Sequence, residues 1–187
     1  MTGEQVRCLV YRGARLIFHE LSHQVSYAAD DTMFNESFAT AVERIGGARW
    51  LAQHAGAAAR EQYAVFDGRR NQFRELTGRY RNRLDALYRS GASDADKRAD
   101  KATLLRQMRD EYATLKAGAW GGFAGYDGWF ERANNANFGV LAAYNELVPH
   151  FERLFEREGR DFTRFYAEVR RLAGLPKTER HATLRAI

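Results

Sequence analysis

The sequence contains a single cysteine, Cys8, and only two prolines in 187 residues. One cysteine excludes a disulfide framework and a cysteine-rich zinc site, and we interpret Cys8 as a packing residue. Residues branched at Cβ are sparse and few windows alternate with period two, so strands are not expected. No apolar run approaches the roughly 20 residues of a membrane span, and no signal peptide is visible. These absences predict a soluble chain without a transmembrane segment.

Hydrophobic residues make up 45% of the chain, which is typical of a globular protein with a core. The many Ala, Leu, Arg and Glu residues favour an all-α fold, predicted as one helical domain over residues 1–187. Lys and Arg number 29 against 24 Asp and Glu, a net charge of +5. Because this excess is small and spread along the chain, no nucleic-acid partner is expected.

Residues 18–24 carry the pattern H-E-x-x-H within a predicted helix. Positions i and i+4 lie roughly 40° apart on one helical face, so His19 and His23 can present two imidazoles to one ion. Glu20 lies beside this pair, where it can deprotonate a metal-bound water. Zinc suits such a site because imidazole is a good ligand for it and a catalytic zinc keeps one position open. Two core histidines held by hydrogen bonds are the alternative.

A third zinc ligand is predicted at Glu36, in a second helix capped by Asp31 or Thr32. His23 lies roughly 9 Å before the end of the first helix if that helix reaches Ala29, and Glu36 lies roughly 6–8 Å into the second. A tight turn between them would make the helices antiparallel, with axes roughly 8–10 Å apart. The two imidazoles and the Glu36 carboxylate would then meet at the same level.

These motifs resemble the gluzincin metallopeptidases, and more closely the bacterial family labelled predicted aminopeptidases. The likeness is specific over residues 16–24 and 31–43, and it continues in residues 134–136, Tyr144 and residues 148–154. It implies a zinc-dependent peptide hydrolase with one Zn²⁺ per chain and a peptide as substrate. Because members of that family are usually longer, the chain resembles their C-terminal catalytic half. The resemblance also suggests a periplasmic or membrane-anchored full-length form.

Two other functions remain open. The chain could bind zinc without cleaving peptides, because neither an acidic group that recognises a substrate amine nor a substrate-aligning edge strand is evident. It could also be a non-catalytic helical interaction module, because residues 67–117 read as a protruding, strongly charged helical hairpin with a turn near Gly91.

Apolar spacing predicts the remaining helices. The first helix, residues 5–29, carries an apolar stripe expected to be buried: Val10, Ala14, Ile17, Leu21, Val25 and Ala28. The second is predicted over residues 32–66, with a bend at Gly46 and Gly47. The later helices are predicted over residues 67–90, 93–117, 131–144, 145–157 and 161–173. The tail after Lys177 is predicted to fray.

Metal ligands need neighbours that fix their orientation. Thr40 and Glu43 continue the polar stripe of Glu36 at helical spacing and could bond the outward ring nitrogens of His19 or His23. The alternative for Glu43 is a pair with a surface arginine. Asn35 is expected to bond backbone near the start of its helix.

The resemblance to gluzincins calls for a donor that stabilises the oxyanion, and Tyr144 is our choice, ahead of Tyr126 and His150. Tyr126 lies in a glycine and aromatic loop, residues 120–130, that either walls a substrate pocket or is pinned onto the core by its aromatics. Asn135, with Asn134 and Asn137, would line a polar cleft that binds substrate or would bond a neighbouring loop. The remaining histidines, His54 and His181, are interpreted as surface residues.

Overall fold

The computed structural model describes the backbone of residues 3–187 and the side chains of residues 13–187, so the predicted packing of Cys8 lies outside the described side chains. The described residues contain helices and no strand, which confirms the all-α prediction. The helices are α1 (Gly3–Val25), α2 (Thr32–His54), α3 (Ala57–Arg89), α4 (Asp94–Ala117), α5 (Asp127–Glu131), α6 (Asn135–Asn145), α7 (Val148–Arg157), α8 (Phe162–Ala173) and α9 (Lys177–Arg185). They form two compact units, residues 1–61 with 139–187, and residues 62–138.

Helix α1 ends at Val25, earlier than the predicted Ala29. The reason lies in Asn35, whose side-chain amide accepts from the backbone N–H of Ala28 and donates to the carbonyl of Ala28, both at 2.8 Å. These two bonds replace the bonds that a continuing helix would supply. Asp31, one of the two predicted caps, then caps α2 by accepting from the N–H of Phe34 at 3.2 Å.

The predicted second helix to residue 66 is wrong, because α2 ends at His54 and α3 begins at Ala57. The helix continues through Gly46 and Gly47 and breaks instead at Ala55, whose backbone is extended. At Gly46 a side chain would begin 3.2 Å from the ring of Phe18 on α1. The glycine therefore permits the close approach of α1 and α2.

The predicted burial of the α1 stripe is also wrong in part. Ile17 and Leu21 are exposed by 56% and 58%, although Ala28 is buried. The face of α1 that packs on α2 instead carries the buried polar residues Arg15, His19 and Ser22. Ser22 donates to the carbonyl of His19 at 2.6 Å, so its hydroxyl is satisfied inside the packed face. Polar partners, rather than apolar periodicity, therefore decide which face of α1 is inside.

The core of the first unit is built from α2, α7, α8 and α9. Its largest side chains are aromatic: Phe34, Phe38, Phe151, Phe155 and Phe165. Pro149 lies in the first turn of α7, where its missing N–H costs no helical hydrogen bond. The predicted frayed tail is wrong, because residues 177–185 form α9 and Leu184 is fully buried in this core.

Helix α9 is tied to the start of α2 by buried charges. Arg180, 5% exposed, donates to Asp31 at 2.6 Å and lies over the ring of Phe34. His181 lies 2.8 Å from the same carboxylate, so interpreting it as a surface residue is wrong, whereas His54 is exposed as predicted. Burial would raise the pKa of Asp31, but the bonds from Arg180, from the N–H of Phe34 and from His181 lower it. The start of α2 is therefore fixed by the C-terminal helix.

We expect Arg180→Met to lower the free energy of unfolding by about 3–5 kcal/mol, because it leaves the Asp31 carboxylate buried without its guanidinium. The matched control is Arg185→Met on the same helix, whose partner Glu146 is partly exposed. That change should cost less than about 1 kcal/mol. Urea unfolding of the three proteins measures both values, and equal losses in the two variants would contradict this assignment.

The second unit contains the predicted antiparallel hairpin, made by α3 and α4. Its helices exchange polar contacts in opposite order, with Arg79 bonded to Glu111 at 2.6 Å and Arg83 to Gln107 at 2.8 Å. Ser93 caps α4 by accepting from the N–H of Asp96. The seam is apolar and buried: Phe73, Leu76, Tyr80, Leu84, Met108 and Tyr112.

Candidate metal centre

Three side chains of the first unit converge between α1 and α2. His19 Nε2 lies 3.2 Å from Glu36 Oε2, and His23 Nε2 lies 3.9 Å from the same oxygen. The two imidazole rings meet edge to face with centroids 5.2 Å apart. One ligand atom from each residue lies within 4.8 Å of the other two. The structure therefore brings together the three residues that the sequence singles out as ligands.

Local structure explains why Glu36 faces the histidines. It follows Asn35, whose side chain bonds both the N–H and the carbonyl of Ala28 across the turn between the helices. It lies in the first turns of α2, whose start is held by Asp31 and Arg180. Two sets of bonds thus hold the start of α2, which carries Glu36: one to Ala28 across the α1–α2 turn and one to Arg180 on α9.

Glu43 reaches the other side of His19. Its Oε2 lies 3.4 Å from His19 Nδ1, and its second oxygen pairs with the buried guanidinium of Arg15. The hydrogen bond to Glu43 raises the pKa of His19 against the lowering effect of burial, and the charges of Glu43 and Glu36 add to the rise. A neutral His19 with its proton on Nδ1, directed at Glu43, would have a lone pair on Nε2, the nitrogen that faces Glu36.

Glu43 makes both of the contacts that the sequence predicts as alternatives. Glu43 contacts a histidine and also pairs with an arginine, but Arg15 is buried rather than on the surface. Sequence reasoning missed Arg15. The available signal was an arginine four residues before His19, on the same helical face of a segment otherwise rich in apolar residues.

His23 lacks a comparable neighbour. Its Nδ1 atom is buried and has no hydrogen-bond partner among the side chains and backbone that the structure describes. Thr40, buried one turn after Glu36, therefore gives no bond to this atom. A role for Thr40 in orienting the ring of His19 or His23 stays a prediction.

Tyr144 on α6 is the fourth group at the cluster. Its ring stacks on His19 with centroids 6.0 Å apart and planes 14° from parallel. Burial, the charge of Glu36, a hydrogen bond to Glu36 and the charge of Glu20 raise the pKa of Tyr144. The phenol therefore keeps its proton at neutral pH and can act as a donor.

Ser37, which sequence reasoning missed, holds the end of α6 in place. Its buried hydroxyl donates to the carbonyl of Ala143 at 2.9 Å and accepts from the N–H of Leu147 at 3.3 Å. These bonds lie on either side of Tyr144 in the chain. Because Ser37 directly follows Glu36, a single turn of α2 fixes both a candidate ligand and the tyrosine that faces it.

The structure also places the remaining residues of the first unit's predicted site and the asparagines at the start of α6. Glu20 is exposed, next to His19 in sequence on α1. His150 lies on α7 and accepts from Arg153 at 2.6 Å, and burial lowers its pKa. Asn134 and Asn137 cap α6 by each accepting from the backbone N–H of the other.

The two predicted substrate-binding residues belong to the second unit. Tyr126 stacks on Phe73 with centroids 4.2 Å apart, and Trp120 nearby is fully buried and donates to Gln72. The loop is therefore pinned by its aromatics, the second of the two predicted alternatives. Asn135 accepts from the hydroxyl of Tyr88 at 3.1 Å. The substrate-binding roles of Tyr126 and Asn135 stay predictions.

The fold and this cluster define an all-helical protein with a candidate metal centre between two facing helices. The family described as "Putative aminopeptidase" matches residues 2–184, and the chain belongs to that family. Membership supports a peptidase-like function. No curated protein and no solved structure shows a significant match. In the described part of the chain, no helix has the length and apolar character needed to cross a membrane.

Proposed function

We propose that the protein is a zinc-dependent peptide hydrolase of the gluzincin type, with an aminopeptidase-like activity. The observation that carries the proposal is the convergence of His19, His23 and Glu36 from two helices. Two imidazoles with one carboxylate are a donor set typical of catalytic zinc. Membership of the peptidase family supports the same reaction.

The distances from the Glu36 oxygen to the two histidine nitrogens are close to those between ligands of one zinc ion. Tetrahedral zinc with bonds of about 2.0–2.1 Å sets its ligand atoms about 3.3 Å apart. Glu36 Oε2 lies 3.2 and 3.9 Å from the Nε2 atoms of His19 and His23. Glu43 and Arg15 support His19 from behind, as outer neighbours of metal ligands do.

In the proposed reaction, bound zinc would supply the Lewis acidity that activates a water and polarises the peptide carbonyl. Glu20 takes the proton as the water oxygen attacks the carbonyl carbon, and then delivers it to the nitrogen of the leaving amine. Tyr144 donates its phenol hydrogen to the carbonyl oxygen as that oxygen gains negative charge. His19, His23 and Glu36 would hold the metal, and Glu43 keeps the His19 ring in orientation.

The test is hydrolysis of aminoacyl-amides and short peptides by the purified chain before and after removal of its metal with a chelator. We expect one zinc per chain, loss of hydrolysis on chelation and recovery when zinc is returned. Bound zinc without cleavage of any peptide would instead indicate a zinc protein that is inactive in this form. Absence of stoichiometric zinc, with salt-dependent binding to an acidic partner, would indicate a helical interaction module.

A further inference from the structure

The exposed large apolar side chains of the first unit lie on or next to the two helices that carry His19, Glu20 and Tyr144. Among its described residues they all lie on α1, in the segment after α1 or on α6: Leu16, Ile17, Leu21, Tyr27, Val140 and Tyr144. Single apolar residues scattered over a surface need no explanation, but a group that lies on and directly beside the helices carrying His19, Glu20 and Tyr144 does. The concentration points to a role in contacts that the site makes.

Leu16 lies on the metal side of Glu20. At roughly 100° per residue, its direction from the α1 axis differs by roughly 20° from that of His23 and by roughly 40° from that of Glu20. It precedes Glu20 by roughly 6 Å along the axis. The neighbouring Ile17 points roughly 120° away from His23. Both side chains are exposed, by 60% and 56%, so they differ in direction rather than in accessibility.

Helix α6 repeats this arrangement. Val140 precedes Tyr144 by one turn on the same helical face and is 59% exposed. The stack of Tyr144 on His19 brings this face of α6 to the candidate centre. Each of the two helices that carry a proposed catalytic group, Glu20 or Tyr144, thus presents an exposed aliphatic side chain one turn before it.

We propose that the site selects peptides with a large apolar side chain next to the scissile bond, and that Leu16 and Val140 line the subsite for that side chain. This inference rests on the proposed function. The substrate residue next to the attacked carbonyl extends its side chain a few ångströms from the reacting carbon. Leu16 and Val140 lie at a similar distance from the proposed catalytic groups, because each precedes its group by one helical turn of roughly 5.4 Å. Burying that side chain against Leu16 and Val140 removes apolar surface from water on both sides.

The experiment compares leucine hydroxamate with glycine hydroxamate on the zinc-loaded chain by titration calorimetry. Both probes offer the same zinc-binding group and differ only in the isobutyl side chain. We expect leucine hydroxamate to bind about tenfold more tightly, the low end of what apolar pockets achieve. Leu16→Ser should reduce this preference to about threefold or less, and because Leu16 is exposed the substitution should leave the fold intact.

Ile17→Ser is the matched control, since it removes an equally exposed aliphatic side chain one residue along the helix, and it should keep the full preference. Equal affinity of the two probes for the unaltered chain would overturn this inference alone. An equal loss of preference in Leu16→Ser and Ile17→Ser would also overturn it. Failure of the zinc-loaded chain to bind either probe would overturn the proposed function together with it.

Discussion

We expect Glu20→Gln to lower kcat for peptide hydrolysis by about 100- to 10,000-fold, the contribution of a positioned general base. The amide has nearly the shape of the carboxylate but cannot accept the proton of the attacking water. Glu20 is exposed next to His19 and is not one of the three converging ligands. Zinc content should therefore stay at the level of the unaltered chain, as measured by metal analysis beside the kinetic assay.

A second exposed glutamate controls for the loss of one negative charge. Glu156→Gln on α7, where the carboxylate is solvated and paired with Arg160, should leave kcat unchanged. Hydrolysis that survives in Glu20→Gln at the rate of the unaltered chain would reject Glu20 as the base. Loss of zinc in the same variant would show that Glu20 has a ligand or structural role instead.

Tyr144→Phe should lower kcat by about 100- to 1,000-fold, the usual result of removing one oxyanion donor. The substitution keeps the ring that stacks on His19, so the arrangement of the histidines and the zinc content should not change. Because the hydroxyl acts as negative charge develops on the carbonyl oxygen, we expect the loss to fall on kcat more than on KM.

Tyr27→Phe is the matched control for this hydroxyl. Tyr27 is exposed by 68% and lies two residues after the end of α1, so it is another phenol near the helix that carries the histidines. We expect its kcat to equal that of the unaltered chain. A large loss in Tyr27→Phe with none in Tyr144→Phe would move the donor role to the other tyrosine.

The convergence of His19, His23 and Glu36 could be predicted because its geometry is local. His19 and His23 are related by a single helical turn, and Glu36 follows after one short connection, so helix rise and a tight turn nearly fix their relation. Asp31 as helix cap is also a local matter, decided by the preference of carboxylates for the first N–H groups of a helix.

Other features could not be predicted because they depend on distant partners. Arg15 is inside because Glu43 is there to receive it, and no apolar periodicity reports such a pair. Ile17 and Leu21 are outside for the same reason, since the polar face of α1 takes the buried position. Helix α9 is held in place by the bond between Arg180 and Asp31, which are far apart in sequence. Such long-range ion pairs leave no spacing signal in a single sequence.

Anomalous diffraction at the zinc edge from crystals of the zinc-loaded chain tests the central claim most directly. We predict one anomalous peak, from a zinc ion about 2.0–2.2 Å from an imidazole nitrogen of His19, one of His23 and the Glu36 carboxylate. A zinc peak bound elsewhere, or no peak at these three side chains after loading, would contradict the proposed metal centre and the hydrolase built on it.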